Sequence, residues 1–193
     1  MYSTPCIIFA GGKSSRMGED KALLPFAGYN SLTHYQYDRL SKIFSTVYIS
    51  CKDKSKFDFD ANFLEDIKTD AVFAPTVGFV TAFRNLKSDK FFALSIDTPF
   101  ITQQEIAKLF EADKPTYDAT VAKTEDGVHP LCGIYHTSLQ KNFEQMLQTQ
   151  NHKLGQLLKN THTKYLFFSQ TQPFLNLNHP HQYQEALKII RNY

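Results

Sequence analysis

Gly11, Gly12, Lys13, Arg16, Gly18, Asp20 and Lys21 crowd into one turn of the chain, directly after the apolar run PCIIFA at residues 5–10. Glycines let backbone N–H groups approach an anionic ligand with no Cβ in the way. Lys13, Arg16 and Lys21 add positive charge that can neutralise a triphosphate. A solvated basic turn would explain the charge, but not its coincidence with glycine and a preceding strand, so phosphate binding is the stronger reading. The two common nucleotide loops both fail. G-K-S at 12–14 has the tail of a P-loop, yet that loop needs Gly where Ile7 stands, and G-x-G-x-x-G is absent.

A second candidate is S-I-D-T-P-F at 95–100. A carboxylate at the end of a buried strand, held by a Thr-Pro turn, can ligate Mg²⁺ beside phosphates. Asp97 could instead cap its own turn; beside a phosphate loop it becomes the metal candidate. His129, ahead of Pro130, is either a surface residue or faces a substrate. In F-L-N-L-N-H-P at 174–180, Asn176 and Asn178 alternate, so on a strand both would point the same way.

Alternating strands and helices must position these residues. The run at 5–10 reads as a strand buried on both faces. TVYISC (46–51), FFALSI (91–96), YDATVA (117–122), PLCGIY (130–135) and TKYLFFS (163–169) read as further strands. FLED (63–66) and AVFA (71–74) are short apolar pieces near turns. Residues 31–44 carry an apolar arc behind a Ser31 cap, and 77–86 also reads as helix. T-Q-Q-E at 102–105 and T-S-L-Q at 137–140 have capping-box spacing, the second opening a helix to about 149. LGQLLKN is a short helix, and Pro180 suits the first turn of a last one. The alternation predicts one three-layer α/β domain over residues 1–193, with a mainly parallel sheet. In such sheets ligands bind beyond the C-terminal ends of strands, where both charged turns fall.

Composition narrows the function. Of 193 residues, 42% are apolar and 21% charged, with a net charge of +2, so a nucleic-acid surface is disfavoured. No stretch approaches the roughly 18 apolar residues of a membrane span, and the N-terminus lacks the basic flank of a signal peptide. Cys6, Cys51 and Cys132 are odd in number and widely spaced, which fits buried thiols in a reducing cytoplasm.

The stretch A-G-G-K-S-S-R-M-G-E-D-K-A-L-L resembles the signature loop of nucleotidyltransferases with a GT-A-like, Rossmann-like α/β/α fold. It is most similar to the molybdenum cofactor guanylyltransferases, the MobA family, whose start reads L-A-G-G-x-x-x-R-M-G-x-D-K-x-L; here Phe9 replaces Leu. F-L-E-D at 63–66 with A-P-T-V-G at 74–78, H-P at 129–130 and F-L-N-L-N-H-P at 174–180 extend the resemblance over nearly the whole chain. Ala74 and Thr76 replace the family's Gly and Leu, and His179 replaces a capping Thr.

The resemblance implies that Phe9, Ala10, Gly11, Gly12, Ser50, Asp66, Pro75 and Gly78 form the nucleoside side. It implies that Lys13, Arg16 and Lys21 hold the phosphates, with Arg16, Lys21 and Asp97 catalytic and Asp97 on Mg²⁺. Asn176 and Asn178 would face the metal and the acceptor phosphate. The implied reaction joins GMP from GTP to a molybdopterin-type cofactor in a cytoplasmic monomer. Other molybdenum-cofactor proteins and molybdoenzyme maturation factors are the further partners, with no nucleic acid or membrane. Alternatives are a molybdopterin cytidylyltransferase or sugar-phosphate enzyme, a non-catalytic nucleotide-binding protein, or a structural partner of a molybdoenzyme.

Overall fold

A computed structural model describes residues 1–12, 18–67 and 75–191. Among these, β1 (Cys6–Phe9), β2 (Val47–Cys51), β3 (Asn62–Glu65), β4 (Lys90–Ser95), β5 (Ala119–Thr124), β6 (Gly127–His136) and β7 (Thr163–Phe167) form one sheet. Their spatial order is β3-β2-β1-β4-β6-β5-β7. Neighbours pair in parallel except where β6 runs against β4 and β5. The mainly parallel sheet expected from the alternation is therefore present. The piece FLED belongs to it as β3, paired in parallel with β2. AVFA lies outside the described residues.

β1 shows why the sheet needs cover on both sides. Cys6, Ile8 and Ala10 enter one apolar core, while Ile7 and Phe9 enter the other. The first core packs under α1 (Leu32–Ser41), α3 (Gln103–Ala112) and α6 (Pro180–Ile190). The second packs under α2 (Pro75–Asn85), α4 (Gln140–Gln148) and α5 (Leu154–Lys159). These are the three layers. Aromatic packing dominates the second core: the Phe79 ring lies 4.6 Å from Phe9, 4.6 Å from Tyr135 and 4.3 Å from Phe143. Truncating such a fully buried ring to Ala costs about 3–5 kcal/mol.

Local signals mostly behave as their chemistry requires. The Ser31 hydroxyl accepts from the His34 amide, and Thr102 with Glu105 closes a capping box. The expected cap at Thr137 does not form. Residues Thr137–Leu139 make a 3-10 turn before α4, and the Thr137 amide donates to Asp89 O at 2.9 Å. Its amide is drawn to the β4 entry, so the chain turns tightly before the helix begins.

Chain order fixes where a ligand can sit. From β1 the chain steps outward through β2 to β3, then returns to place β4 on the other side of β1. At that reversal a crevice opens beyond the carboxyl ends of β1 and β4. Gly11, Gly12 and Asp97 lie there.

Candidate active site

Lys21 is held where the first loop re-enters the core. The Asp20 carboxylate caps the 3-10 turn Lys21–Leu23 by accepting from the Ala22 amide at 3.0 Å. Thr33 Oγ1 donates to Ala22 O at 2.7 Å, the Leu32 amide donates to Leu24 O at 2.7 Å, and Lys56 Nζ pairs with Asp20 at 2.7 Å. From this anchored turn, Lys21 Nζ donates to Asp97 Oδ2 at 2.7 Å and to Asn178 Oδ1 at 3.1 Å. The Lys21 and Asp97 side chains are only 14% and 15% exposed, so the pair is screened far less than a surface pair.

Asp97 follows β4, and Asn178 comes from the segment before α6. The Leu177 amide donates to Asp97 O at 2.9 Å, and Gln182 on α6 reaches back to accept from the amides of Asn178 and His179, each at 2.9 Å. A carboxylate oxygen and an amide oxygen thus converge on one cationic position. Such a hard, oxygen-only pair suits Mg²⁺, which takes one or two protein ligands and fills its octahedron with phosphate and water. Among the described residues no group of three or more His, Cys, Asp or Glu side chains converges to form an all-protein cage.

Beside this cluster lies a narrow cleft lined by Phe9, Gly11, Gly12, Ser50, Lys52, Asp66, Pro75, Val77 and Gly78. Gly78 makes it possible, because a Cβ there would lie 2.4 Å from Ser50 Oγ and 2.9 Å from the Phe9 ring. α2 can approach the sheet only through that glycine. Ser50 Oγ donates to Asp66 Oδ1 at 3.1 Å, while Asp66 Oδ2 faces Gly11. Burial pushes the Asp66 carboxyl up to about 6, and the Ser50 hydrogen bond and Lys52 charge oppose this only in part.

The structure therefore brings Phe9, Gly11, Gly12, Ser50, Asp66, Pro75 and Gly78 to one side of the crevice, and Lys21, Asp97 and Asn178 to the other; Ala10, just past the end of β1, packs instead into the first core. Lys13 and Arg16 lie outside the described residues. Asn176 has its own local partner. Residues 175–178 are not a strand, and Asn176 Nδ2 donates to Phe174 O at 3.4 Å, whereas Asn178 Oδ1 accepts from Lys21. His129 is not a free surface residue: its Nε2 pairs with Thr124 Oγ1 at 2.9 Å and its ring lies 4.8 Å from Phe174. Sequence reasoning missed Lys52 and Val77. Lys52 stands two residues beyond Ser50, the spacing that returns a side chain to the same strand face.

A family model described as the MobA-like NTP transferase domain matches residues 6–165. A molybdenum cofactor guanylyltransferase of Campylobacter jejuni (strain RM1221) is 37% identical over 180 residues, covering 93% of this chain and 93% of that protein. One from Helicobacter pylori (strain P12) is 35% identical over 192 residues, covering 97% of this chain and 93% of that protein. Among solved structures, molybdopterin-guanine dinucleotide biosynthesis protein A from Archaeoglobus fulgidus superposes with a TM-score of 0.84 at 20% identity, a likeness of fold that covers 98% of this chain and 100% of that one.

Proposed function

This chain belongs to the MobA-like NTP transferase family, and from that premise we propose that it transfers GMP from GTP to the terminal phosphate of a molybdopterin-type cofactor, releasing pyrophosphate. The observation that carries the reading is the convergence of Lys21, Asp97 and Asn178 beside the Ser50–Asp66 cleft, at the reversal of strand order. Guanylyltransferase names among relatives that match along nearly the full chain support the choice of nucleotide and acceptor. The reaction is carried by one nucleotidyltransferase domain over residues 1–193. Three buried free thiols, Cys6, Cys51 and Cys132, support a cytoplasmic location.

The chemistry asks for positioning and charge neutralisation. The attacking group is already an anionic phosphate, so no protein base is required. In-line attack on the α-phosphorus forms the new P–O bond as the bond to pyrophosphate breaks. Asp97 and Asn178 would hold Mg²⁺, which neutralises triphosphate charge when bound. Lys21 can exchange its Asp97 contact for phosphate oxygens and offset the charge that accumulates on the leaving group. Lys13 and Arg16 add to that offset from the same loop. On the nucleoside side, Asp66 Oδ2 accepts a donor from the bound nucleoside, while Ser50 keeps Oδ1 in place. Glycines at 11 and 12 leave backbone room for the ligand.

The test is incubation of the protein with Mg²⁺, molybdopterin and each of GTP, CTP, ATP and UTP in turn, with chromatographic scoring of the dinucleotide formed. GTP is expected to be preferred; equal turnover with CTP would reject the guanylyl assignment.

A further inference from the structure

Asp97 stands on a turn rather than within a strand, so its direction depends on what holds that turn. Four of the carbonyls around it are each held by a different residue. Ser95 O accepts from the Thr98 amide at 3.3 Å and from Thr98 Oγ1 at 2.9 Å. Asp97 O accepts from the Leu177 amide. The two carbonyls that bracket the turn, Ile96 O and Ile101 O, are both taken from beneath by α1. Gln36 Nε2 donates to Ile96 O at 3.3 Å, and Arg39 Nη1 donates to Ile101 O. Arg39 Nε then donates to Gln36 Oε1 at 3.0 Å, which joins the two donors into one brace.

The polarity of this brace calls for a reason. Gln36 is 0% exposed and lies in the middle of α1, between the buried apolar Leu32 and Leu40; the other buried polar residue of the helix, Thr33, donates to Ala22 O. An aliphatic residue would bury the same volume without the cost of desolvating an amide. Among the described residues, no carboxylate lies within ion-pair distance of Arg39. Its charge is met by neutral oxygens and by the Tyr35 ring, 5.9 Å away. A neutral amide and a rigid guanidinium fork fix direction in a way that apolar packing does not.

We propose that Gln36 and Arg39 are positioning residues for the transfer reaction: by gripping Ile96 O and Ile101 O they fix the Asp97 turn, and so the direction in which the Asp97 carboxylate meets the bound cation. The proposal rests on the reading of Asp97 as the metal ligand. Neither side chain touches substrate or metal. Their effect passes through the backbone of residues 96–101, as hydrogen-bond partners behind a metal ligand act on metal affinity.

The experiment is a Mn²⁺ titration followed by electron paramagnetic resonance, with a GTP analogue that cannot be cleaved between the α- and β-phosphates. It compares the wild type with Arg39→Met, Arg39→Lys and Asp97→Asn. Arg39→Met is expected to raise the Mn²⁺ dissociation constant about ten-fold. Arg39→Lys, which keeps a donor but loses the fork, should raise it less. Binding of the analogue without metal should stay unchanged in both, because the Ser50–Asp66 cleft is built from other elements. Wild-type Mn²⁺ affinity in folded Arg39→Met would overturn the proposal, even if the variant melts lower, since stability would then be all that the brace supplies. If Arg39→Met does not fold, Arg39→Lys decides in the same way. Asp97→Asn separates the two claims. A large loss of Mn²⁺ affinity there beside an unaffected Arg39 series rejects the brace alone, whereas unchanged affinity in Asp97→Asn rejects the metal reading and the proposal with it.

Discussion

Asp66 lies just past the end of β3, and Asp113 lies just past α3, beside the first residue of β4, so the sheet has a partly buried carboxylate at each end. Burial pushes the Asp113 pKa up, but hydrogen bonds from His136, Lys90 and Thr120 outweigh it and bring the carboxyl down to about 2. Lys90 Nζ stands 2.6 Å and His136 Nε2 3.0 Å from it, and the Asp113 side chain is 1% exposed. At the opposite end, burial likewise raises Asp66, but a single serine hydroxyl and the more distant Lys52 leave it at about 6. The same fold thus contains one carboxylate whose charge is fully answered and one whose charge is left wanting a donor. The first belongs to the scaffold. The second belongs to the end of the sheet where a ligand arrives.

The contrast breaks most severely at Asp113. Asp113→Ala would strand Lys90 and His136 beside an empty site, and removing one partner of a buried pair costs about 3–5 kcal/mol. Urea denaturation should show that loss, while kcat/KM for the folded fraction stays near wild type. Asp113 also predicts acid behaviour. Its folded pKa is depressed below the ordinary 3.8, so its stabilisation is present above that value and is lost as pH falls toward about 2. A stability curve of the variant that parallels the wild type through that range would remove Asp113 from the scaffold.

A smaller effect is expected at the cleft floor. Gly78→Ala places a methyl group 2.4 Å from Ser50 Oγ, which should cost about 1–3 kcal/mol and raise the KM for GTP by displacing Ser50 and Phe9. Gly12→Ala is the matched control. Among the described residues a Cβ there meets nothing within 4 Å, so stability should stay within about 0.5 kcal/mol and any change should fall on nucleotide binding alone. Equal melting shifts in the two variants would mean that the close approach of α2 is not what shapes the cleft.

A modest stability effect should come from Asp66→Asn, and its sign is the informative part. The folded pKa of about 6 exceeds the ordinary 3.8, so this group's contribution to stability is greatest below 3.8 and is lost as pH rises through about 6. Replacing it with a neutral amide should therefore stabilise the protein at pH 8, by about 1 kcal/mol after discounting for its partial exposure, and change little at pH 4. The same substitution should raise the KM for GTP. Thermal melts at both pH values check the sign; destabilisation at pH 8 would mean that the Asp66 charge is better compensated than the Ser50 contact suggests.

The two ends were not equally legible in the amino-acid sequence. The ligand end announces itself because its chemistry is local. Gly11, Gly12, Asp20 and Lys21 follow one apolar strand, and Asp97 follows another. The partners that complete it are distant in the chain: Asn178 reaches Lys21 across 157 positions, and Ser50 meets Asp66 only because β2 and β3 pair in parallel. The Asp113 network had no signal at all, since Lys90, Thr120 and His136 come from three strands and each reads as an ordinary strand residue. β3 read as a fragment because, of its four residues, only Leu64 is buried. Thr137 read as a cap because spacing alone does not reveal that its amide is claimed by Asp89.

The most direct test of the account compares wild type and Asp97→Ala in one reaction containing GTP, molybdopterin and Mg²⁺, with dinucleotide and pyrophosphate both quantified and each protein's melting temperature recorded. The account predicts equimolar dinucleotide and pyrophosphate from the wild type. It predicts a loss of at least about a hundred-fold in the variant, with a melting temperature close to wild type. Dinucleotide formed by Asp97→Ala at the wild-type rate would contradict it.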